Sequence, residues 1–203
     1  MAQHHAVPIY AFEEHFPVRV RPASRVSDDD LFELCARNPE LAIERTAEGE
    51  IIVMSPTGGE TGRRNFQLIV QLGMWAARDG SGIGFDSSTG FLLPNGAERA
   101  PDAAWLRRER WEALTREQRR KFVPLCPDFV IELRSPSNDL ADLQAKMDEY
   151  VACGARLGWL VDIDAKRAWV YRPGRPVEAI ENASSLHGDP ELPGLTLELA
   201  TLE

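Results

Sequence analysis

Residues 126–162 read CPDFVIELRSPSNDLADLQAKMDEYVACGARLGWLVD, and this stretch decides the fold. Phe129, Ile131 and Leu133 alternate with Asp128, Val130, Glu132 and Arg134, a period of two that predicts a strand. A turn at 135–138 leads into a predicted helix over 138–153, which ends at Gly154. The apolar run 157–162 predicts a buried strand. Strand, helix and strand in this order indicate a right-handed βαβ crossover.

Two charged residues of this unit lie where packing alone would not place them. Glu132 interrupts an apolar strand, and a buried carboxylate without a partner is costly. Lys146 lies one turn before Tyr150, at the edge of the apolar stripe of the helix, from which it can lean toward the sheet. Together they indicate a functional site. The alternative is structural: Glu132 pairs with Arg134, and Lys146 extends into water.

Length and composition bound the architecture. The chain has 203 residues and 43% hydrophobic content, enough for one sizeable core. We expect an irregular N-terminal arm over 1–22, which contains three prolines, followed by a single domain over 23–203. No apolar run is long enough to cross a bilayer, and the N-terminus does not resemble a signal peptide. The three widely spaced cysteines predict neither disulfides nor a zinc site, which favours a cytoplasmic location.

The net charge of −9 is unusual for a protein that binds nucleic acid. Basic residues are nevertheless concentrated in one segment, 107–121, where seven of them occur. This segment could contact phosphates. It could equally be a solvated face, because three glutamates are interleaved with the basic residues, and we favour this second interpretation.

The rest of the chain predicts a mixed α/β arrangement. Ser27 begins a short helix that ends near Asn38, and strands over 41–46 and 50–54 form a hairpin. A long helix is predicted over 60–78. The double glycine in the loop before it could cradle a phosphate, but we favour a flexible connector, because the lysine and spacing of a P-loop are missing. Strands over 83–86, 90–93 and 100–106 read as a β-meander, and a helical or turn-rich connector covers 109–121. A further strand is predicted at 167–171, and edge strands follow at 177–180 and 195–199.

The third strand of this predicted meander carries a second candidate acid, Asp102. Two carboxylates on neighbouring strands beside a lysine suit metal-assisted phosphodiester hydrolysis. Asp102 and Glu132 would hold Mg²⁺ or Mn²⁺, hard cations that prefer oxygen ligands. Lys146 would stabilise the negative charge that develops on the phosphate.

Several phrases of the sequence carry a family resemblance. GEIIVMSPTGGETG, DSSTGFLLPNG, APDAAWL, PDFVIELRSPS and KMDEYVACGARLGWLVD are similar to the Uma-two family of restriction-endonuclease-like proteins, in the PD-(D/E)xK nuclease superfamily. The resemblance spans roughly residues 40 to 175. It implies a restriction-endonuclease-like core, in which helices flank a central mixed β-sheet, with the N-terminal helix and hairpin as an extension.

The resemblance assigns roles to individual residues. Asp102 matches the first acid of the superfamily and Glu132 its second acid. Two residues after Glu132 this chain has Arg134 where the superfamily has lysine, and arginine cannot exchange protons near neutral pH. In the Uma-two pattern the lysine has moved to the following helix, which makes Lys146 the catalytic cation, flanked by Tyr150.

The first acid and the acid of the first helix each have more than one candidate. Asp128 could replace Asp102, since it shares a strand face with Glu132 and Arg134, but the superfamily draws its first acid from a separate strand. The acid of the first helix is assigned to Glu60, with Glu44 and Glu50 as further candidates.

The implied function is a magnesium-dependent endonuclease that acts on DNA, most simply as a homodimer, because nucleases of this fold often pair. The alternative is a catalytically degenerate module that keeps the fold for binding or assembly. Arg134 favours this alternative, as does Thr61, which stands where many relatives have histidine.

Overall fold

The computed structural model describes residues 17–54 and 56–203. Most of the predicted arm therefore lies outside the described residues, as does Ser55 of the loop before the long helix. The four helices are α1 (Asp28–Arg37), α2 (Gly59–Asp79), α3 (Arg108–Glu112) and α4 (Leu140–Ala152). Short 3-10 helices cover Gln118–Arg120 and Leu199–Leu202.

Thirteen strands are assigned within the described residues. They are β1 (Val18–Val20), β2 (Ala42–Arg45), β3 (Ile51–Met54), β4 (Gly82–Asp86), β5 (Phe91–Leu92), β6 (Glu98–Arg99), β7 (Ala103–Arg107), β8 (Phe129–Leu133), β9 (Leu157–Asp162), β10 (Arg167–Tyr171), β11 (Glu178–Glu181), β12 (Ser185–His187) and β13 (Thr196–Glu198).

The strands form two main sheets and a small ribbon. The six-stranded sheet has the order β11-β10-β9-β8-β7-β4, and only its β8–β9 pair is parallel. The five-stranded sheet has the order β1-β3-β2-β6-β5 and is antiparallel. Strands β12 and β13 pair with each other. The architecture is thus mixed α/β with a mixed central sheet, as expected.

Helices cover both faces of the six-stranded sheet. Leu68, Leu72 and Trp75 of α2 join the core on one face, together with Phe129 and Ile131 of β8. On the opposite face, Leu143, Met147 and Tyr150 of α4 pack in the other core with Val130 of β8. The alternation predicted for β8 is therefore confirmed: odd-numbered residues face α2 and even-numbered ones face α4.

The predicted βαβ unit is also confirmed. β8 and β9 run parallel, with Phe129 opposite Leu157 and Leu133 opposite Val161, and α4 crosses between them. Gly158 of β9 permits a close approach of α4, because a Cβ at this position would lie 2.4 Å from Cε of Met147. The helix residue next to this contact is Lys146.

The β-meander prediction was wrong. β4 pairs directly with β7, whereas the β5–β6 hairpin leaves this sheet and joins the five-stranded sheet through β2. Each strand of the hairpin has only two residues, so the sequence pattern does not determine which strand it pairs with. Long-range contacts determine the pairing with β2: Arg99 Nη1 and the Ala100 N–H both donate to the Glu44 carboxylate, at 3.1 Å each.

The N-terminal region also differs from expectation. Val18–Val20, within the predicted irregular arm, forms strand β1 on the edge of the five-stranded sheet, where Val18 lies opposite Val53. The predicted helix and hairpin that follow are present as α1 and β2–β3. Instead of a peripheral extension, β2 carries Glu44 into the interior of the protein.

Candidate active site

Glu132 is the centre of a buried polar cluster. Every residue of β8 is buried, and Glu132 is its one ionisable side chain. Its Oε1 lies 2.8 Å from Nζ of Lys146 and accepts a hydrogen bond of 3.2 Å from the Tyr150 hydroxyl. The glutamate predicted to interrupt the strand is thus held by two residues of α4, and the structural alternative of a Glu132–Arg134 pair is wrong.

Helix α4 places Lys146 and Tyr150 on successive turns of one face. The Asp139 side chain caps the helix by accepting from the N–H groups of Ala141 and Asp142. Lys146 Nζ lies 2.7 Å from Oε1 of Glu44, so that the ammonium bridges β8 of one sheet and β2 of the other. The Lys146 side chain is 13% exposed, which excludes the alternative that it extends into water.

Glu44 is held by cations and by the backbone. Arg99 Nη1 donates to its Oε2 at 3.1 Å, and Arg99 Nε donates to Oε2 of Glu149 on α4 at 2.6 Å. The chain of contacts from Glu132 through Lys146, Glu44 and Arg99 to Glu149 joins both main sheets to α4. Charge alternates along this chain, as a buried ionic network requires.

Asp102 lies in the bend just before β7, beside the C-terminal end of β8. Its Oδ2 accepts from the Leu133 N–H at 2.7 Å, so the carboxylate lies next to the backbone of Glu132. Its Oδ1 accepts from Nδ2 of Asn65 on α2 at 2.9 Å. Asp102 and Asn65 are half-buried, and they form the more open side of the cluster.

Burial and charge shift the pKa values in this cluster. Burial, together with the charges of Asp102 and Glu44, raises the pKa of Glu132 to about 7, against the opposing effect of Lys146. Burial also raises the pKa of Asp102, although the Leu133 N–H opposes this shift. For Glu44 the effect of burial is outweighed by Lys146 and Arg99, which lower its pKa.

Lys146 remains a cation. Burial lowers its pKa, but the carboxylates of Glu132 and Glu44 raise it by more, so the net shift is upward. The lysine therefore supplies positive charge near neutral pH and does not accept a proton.

Three of the predicted site residues, Glu60, Arg134 and Asp128, lie outside the buried cluster. Glu60, on the exposed first turn of α2, contacts Arg63 and Arg64 and is not brought to the buried cluster. Arg134 forms an ion pair of 2.6 Å with Asp162.

Asp128 lies at the other end of β8 from the cluster. Its Oδ2 accepts from the Arg107 N–H at 2.9 Å and lies 3.0 Å from Nη1 of Arg110. Asp128 precedes Glu132 by four positions, which corresponds to about 13 Å along an extended strand.

Sequence reasoning missed four polar residues around the site: Asn65, Glu98, Arg99 and Glu149. Asn65 could have been found, because it precedes Leu68 by three residues and Leu72 by seven, which places an amide on the buried stripe of α2. Glu98, Arg99 and Glu149 do not interrupt a regular hydrophobic pattern, so the sequence carried no comparable signal for them.

The donors beside Asp102 suit a hard divalent cation. Asp102, Glu132 and Asn65 all offer oxygen, which Mg²⁺ and Mn²⁺ prefer. The Asn65 Oδ1 atom is buried and has no hydrogen-bond partner among residues 17–54 and 56–203, so it is an acceptor that a cation could use. Among the described residues, no group of three or more His, Cys, Asp or Glu side chains is arranged to hold a metal ion.

The fold is shared with a protein of known structure. A solved structure described as "a putative nuclease belonging to DUF820", from Anabaena variabilis, superposes with a TM-score of 0.69. The match covers 87% of this chain and 97% of that chain at 21% sequence identity, and it shows a shared fold. A search of curated proteins found no match.

The family follows from the sequence match. The model of the Uma2 family, described as "Putative restriction endonuclease", matches residues 28–200. The chain belongs to this family, which confirms the resemblance carried by its phrases. No helix in the part of the chain that the structure describes combines the length and apolar character needed to cross a membrane.

Proposed function

We propose that the protein is a metal-dependent endonuclease that hydrolyses phosphodiester bonds of DNA. The observation that carries this proposal is the position of Lys146: its ammonium lies 2.8 Å from Glu132, and Glu132 neighbours Asp102 across paired strands. Membership of the family described as "Putative restriction endonuclease" supports the same reaction.

In this proposal Asp102 and Glu132 hold Mg²⁺ or Mn²⁺. The bound ion would polarise the phosphate and lower the pKa of a water molecule. Hydrolysis adds the oxygen of water to phosphorus and breaks one P–O bond, which leaves one alcohol and one phosphate monoester. Lys146 stabilises the negative charge that accumulates on the phosphate oxygens, and it is oriented for this by Glu44 and Glu132.

Glu44 is the better candidate for the further acid that the resemblance assigned to Glu60. It contacts Lys146 directly, whereas Glu60 forms exposed ion pairs on α2. Tyr150 donates to Glu132 and so positions this carboxylate.

We also propose that residues 23–203, together with the edge strand β1, form one domain with a restriction-endonuclease-like core. The bonds from Glu44 and Arg99 of the five-stranded sheet to Lys146 and Glu149 of α4 support this unit. We further propose a cytoplasmic location. The three cysteines are free, as is usual in a reducing compartment.

The test is cleavage of supercoiled plasmid and of single-stranded DNA, with magnesium or manganese, by wild type and by Asp102→Asn and Glu132→Gln. We expect metal-dependent cleavage that falls at least about 100-fold in both variants, with unchanged circular dichroism. Glu149→Gln is the matched control, since it changes a carboxylate of the same network that lies outside the proposed metal ligands. Equal losses in all three variants would contradict the assigned roles.

The second candidate function is a binding module without catalysis. The observation that favours it is that both candidate carboxylates, Asp102 and Glu132, already accept hydrogen bonds from neighbouring donors. Calorimetry distinguishes the two functions: a wild type that neither cleaves DNA nor binds metal would contradict the nuclease and favour the binding module.

A further inference from the structure

Residues 107–121, between β7 and β8, form a cationic surface, the arginine segment, in an acidic protein. The segment contains seven basic and three acidic residues, which gives it a net charge of +4, whereas the whole chain carries −9. Six of the seven basic residues are arginines, whose planar guanidinium group suits phosphate oxygens. A solvated face was the favoured interpretation of this segment, because three glutamates are interleaved with the basic residues.

The interleaved glutamates leave most of this positive charge in place. Of the three, only Glu109 forms an ion pair among the residues that the structure describes, at 3.7 Å from Arg107. Two further basic residues pair with aspartates outside the segment. The other four have no carboxylate within ion-pair distance in the described part of the chain: Arg108, Arg116, Arg119 and Arg120. Their charges are therefore available to a partner.

Backbone carbonyls hold two of these four guanidinium groups. Arg119 Nε donates to the carbonyl of Trp111 at 3.1 Å and its Nη2 donates to that of Glu112 at 2.9 Å, while the guanidinium lies 5.1 Å from the centroid of the Trp111 ring. Arg108 Nε donates to the carbonyl of Gly80 at 2.9 Å. A guanidinium has five N–H donors, so both arginines keep donors for an anion. Binding then costs less side-chain entropy, because the groups are already held.

The arginine segment is attached to the central sheet but lies away from the candidate active site. The Trp111 ring packs edge-on against Phe85 of β4, with 5.4 Å between the ring centroids. The segment begins at the end of β7 that is farther from Asp102, about 16 Å along an extended strand. Its arginines can therefore be changed without a change in the proposed metal ligands.

We propose that the arginine segment binds the phosphate backbone of double-stranded DNA through Arg108, Arg116, Arg119 and Arg120. Duplex DNA carries about one negative charge per 1.7 Å of its axis, and the Debye length at physiological ionic strength is about 8 Å. Several phosphates therefore interact with the segment, whereas most of the negative charge of the protein is screened. Phosphate contacts carry no sequence information, so the surface contributes affinity and not specificity. The choice of DNA as the polyanion rests on the proposed nuclease function.

Fluorescence anisotropy of a labelled DNA duplex, with the full chain in EDTA, tests the surface without cleavage. The double variant Arg116→Gln with Arg120→Gln should bind at least about fivefold more weakly than wild type, and the slope of log Kd against log salt concentration should fall by about 2. Both side chains are exposed, so the fold should be kept, as circular dichroism would check. Arg175→Gln is the matched control: Arg175 is exposed between β10 and β11, and its loss should leave Kd and slope unchanged.

Removal of negative charge should have the opposite effect. Glu112→Gln and Glu117→Gln should each lower Kd, because each removes a carboxylate that repels the phosphates and forms no ion pair in the described part of the chain. A wild type that does not bind the duplex would overturn the proposal, and so would arginine variants that bind like wild type. Displacement of the duplex by an equal charge concentration of polyglutamate would also overturn it, because the partner would then be an acidic protein.

Kinetics separate this surface from the candidate active site. In cleavage of duplex DNA, the Arg116→Gln with Arg120→Gln variant should raise KM and leave kcat unchanged, since the segment holds the substrate but does not contact the reacting phosphate. Wild-type cleavage together with unchanged binding by the arginine variants would reject the surface and keep the nuclease. Weakened binding by these variants, without any cleavage by wild type, would keep the surface and reject the nuclease.

Discussion

Lys146 Nζ lies 2.8 Å from Oε1 of Glu132, although one residue is on helix α4 and the other on strand β8. The pair is held because α4 crosses directly over the parallel β8–β9 pair and because Tyr150, one turn along, bonds to the same carboxylate oxygen. A lysine placed in this way contributes to both stability and the proposed chemistry.

Replacement of Lys146 by methionine should destabilise the protein by about 3–5 kcal/mol, because Glu44 and Glu132 would then be buried without their shared cation. Urea denaturation measures the change. Lys121→Met is the control: Lys121 forms an exposed pair with Asp29, and its loss should leave the free energy of unfolding close to that of the wild type.

The same Lys146→Met variant should reduce the rate of DNA cleavage more than the affinity for metal. Its proposed role is to stabilise charge on the phosphate and not to bind the ion. If the variant cleaves DNA at the wild-type rate, Lys146 does not stabilise the phosphate charge, and Arg134 becomes the candidate for this role.

Glu98→Gln should make stability less dependent on pH. Burial and the nearby Glu44 raise the pKa of Glu98 to about 8, and its Oε2 has no partner. Below pH 4.5 both folded and unfolded states hold the proton. Between 4.5 and 8 only the unfolded state releases it, so the wild type loses stability as pH rises, by roughly 1.4 kcal/mol per pH unit at most. Denaturation of both proteins at pH 5 to 8.5 measures this, and a constant difference would contradict it.

Asp128→Asn should lower stability by about 1–3 kcal/mol, because it weakens the contacts with the Arg107 N–H and Arg110. Cleavage of DNA by the folded variant should stay at the wild-type rate, since Asp128 lies at the far end of β8. If the folded variant no longer cleaves DNA, Asp128 is part of the active site after all.

Asn65→Leu should weaken magnesium binding by roughly tenfold or more, since it removes both the bond that orients Asp102 and the unpartnered Oδ1. Calorimetry provides the measurement. Gln67→Leu, two residues along the same helix, is the control and should leave the affinity unchanged. Equal affinities in all three proteins would exclude Asn65 from the metal shell.

The β8–α4–β9 unit could be predicted because its information is local. The alternation of residues 129–133 specifies β8, the capped helix specifies α4, and the apolar run specifies β9. A crossover between parallel strands has one preferred hand, which then fixes how the three elements are connected. Glu132 and Lys146 were identifiable for the same reason: each interrupts a pattern that is otherwise regular.

The partners of these residues were not predictable to the same degree. Glu44 was only a secondary candidate, and Arg99 and Glu98 were not considered. All three lie on strands β2 and β6, which have four and two residues. A two-residue strand has no period from which a face or a neighbour can be inferred, and this is why the predicted meander was wrong.

The sequence by itself thus determined the family, the central crossover and the two residues at the centre of the site. The tertiary structure decided which carboxylates share the Lys146 ammonium, that Glu60 lies outside the cluster and that Asn65 lies inside it. The physical reason is that hydrophobic periodicity acts over a few residues, whereas the ion pairs of this site join residues up to 102 positions apart in the chain.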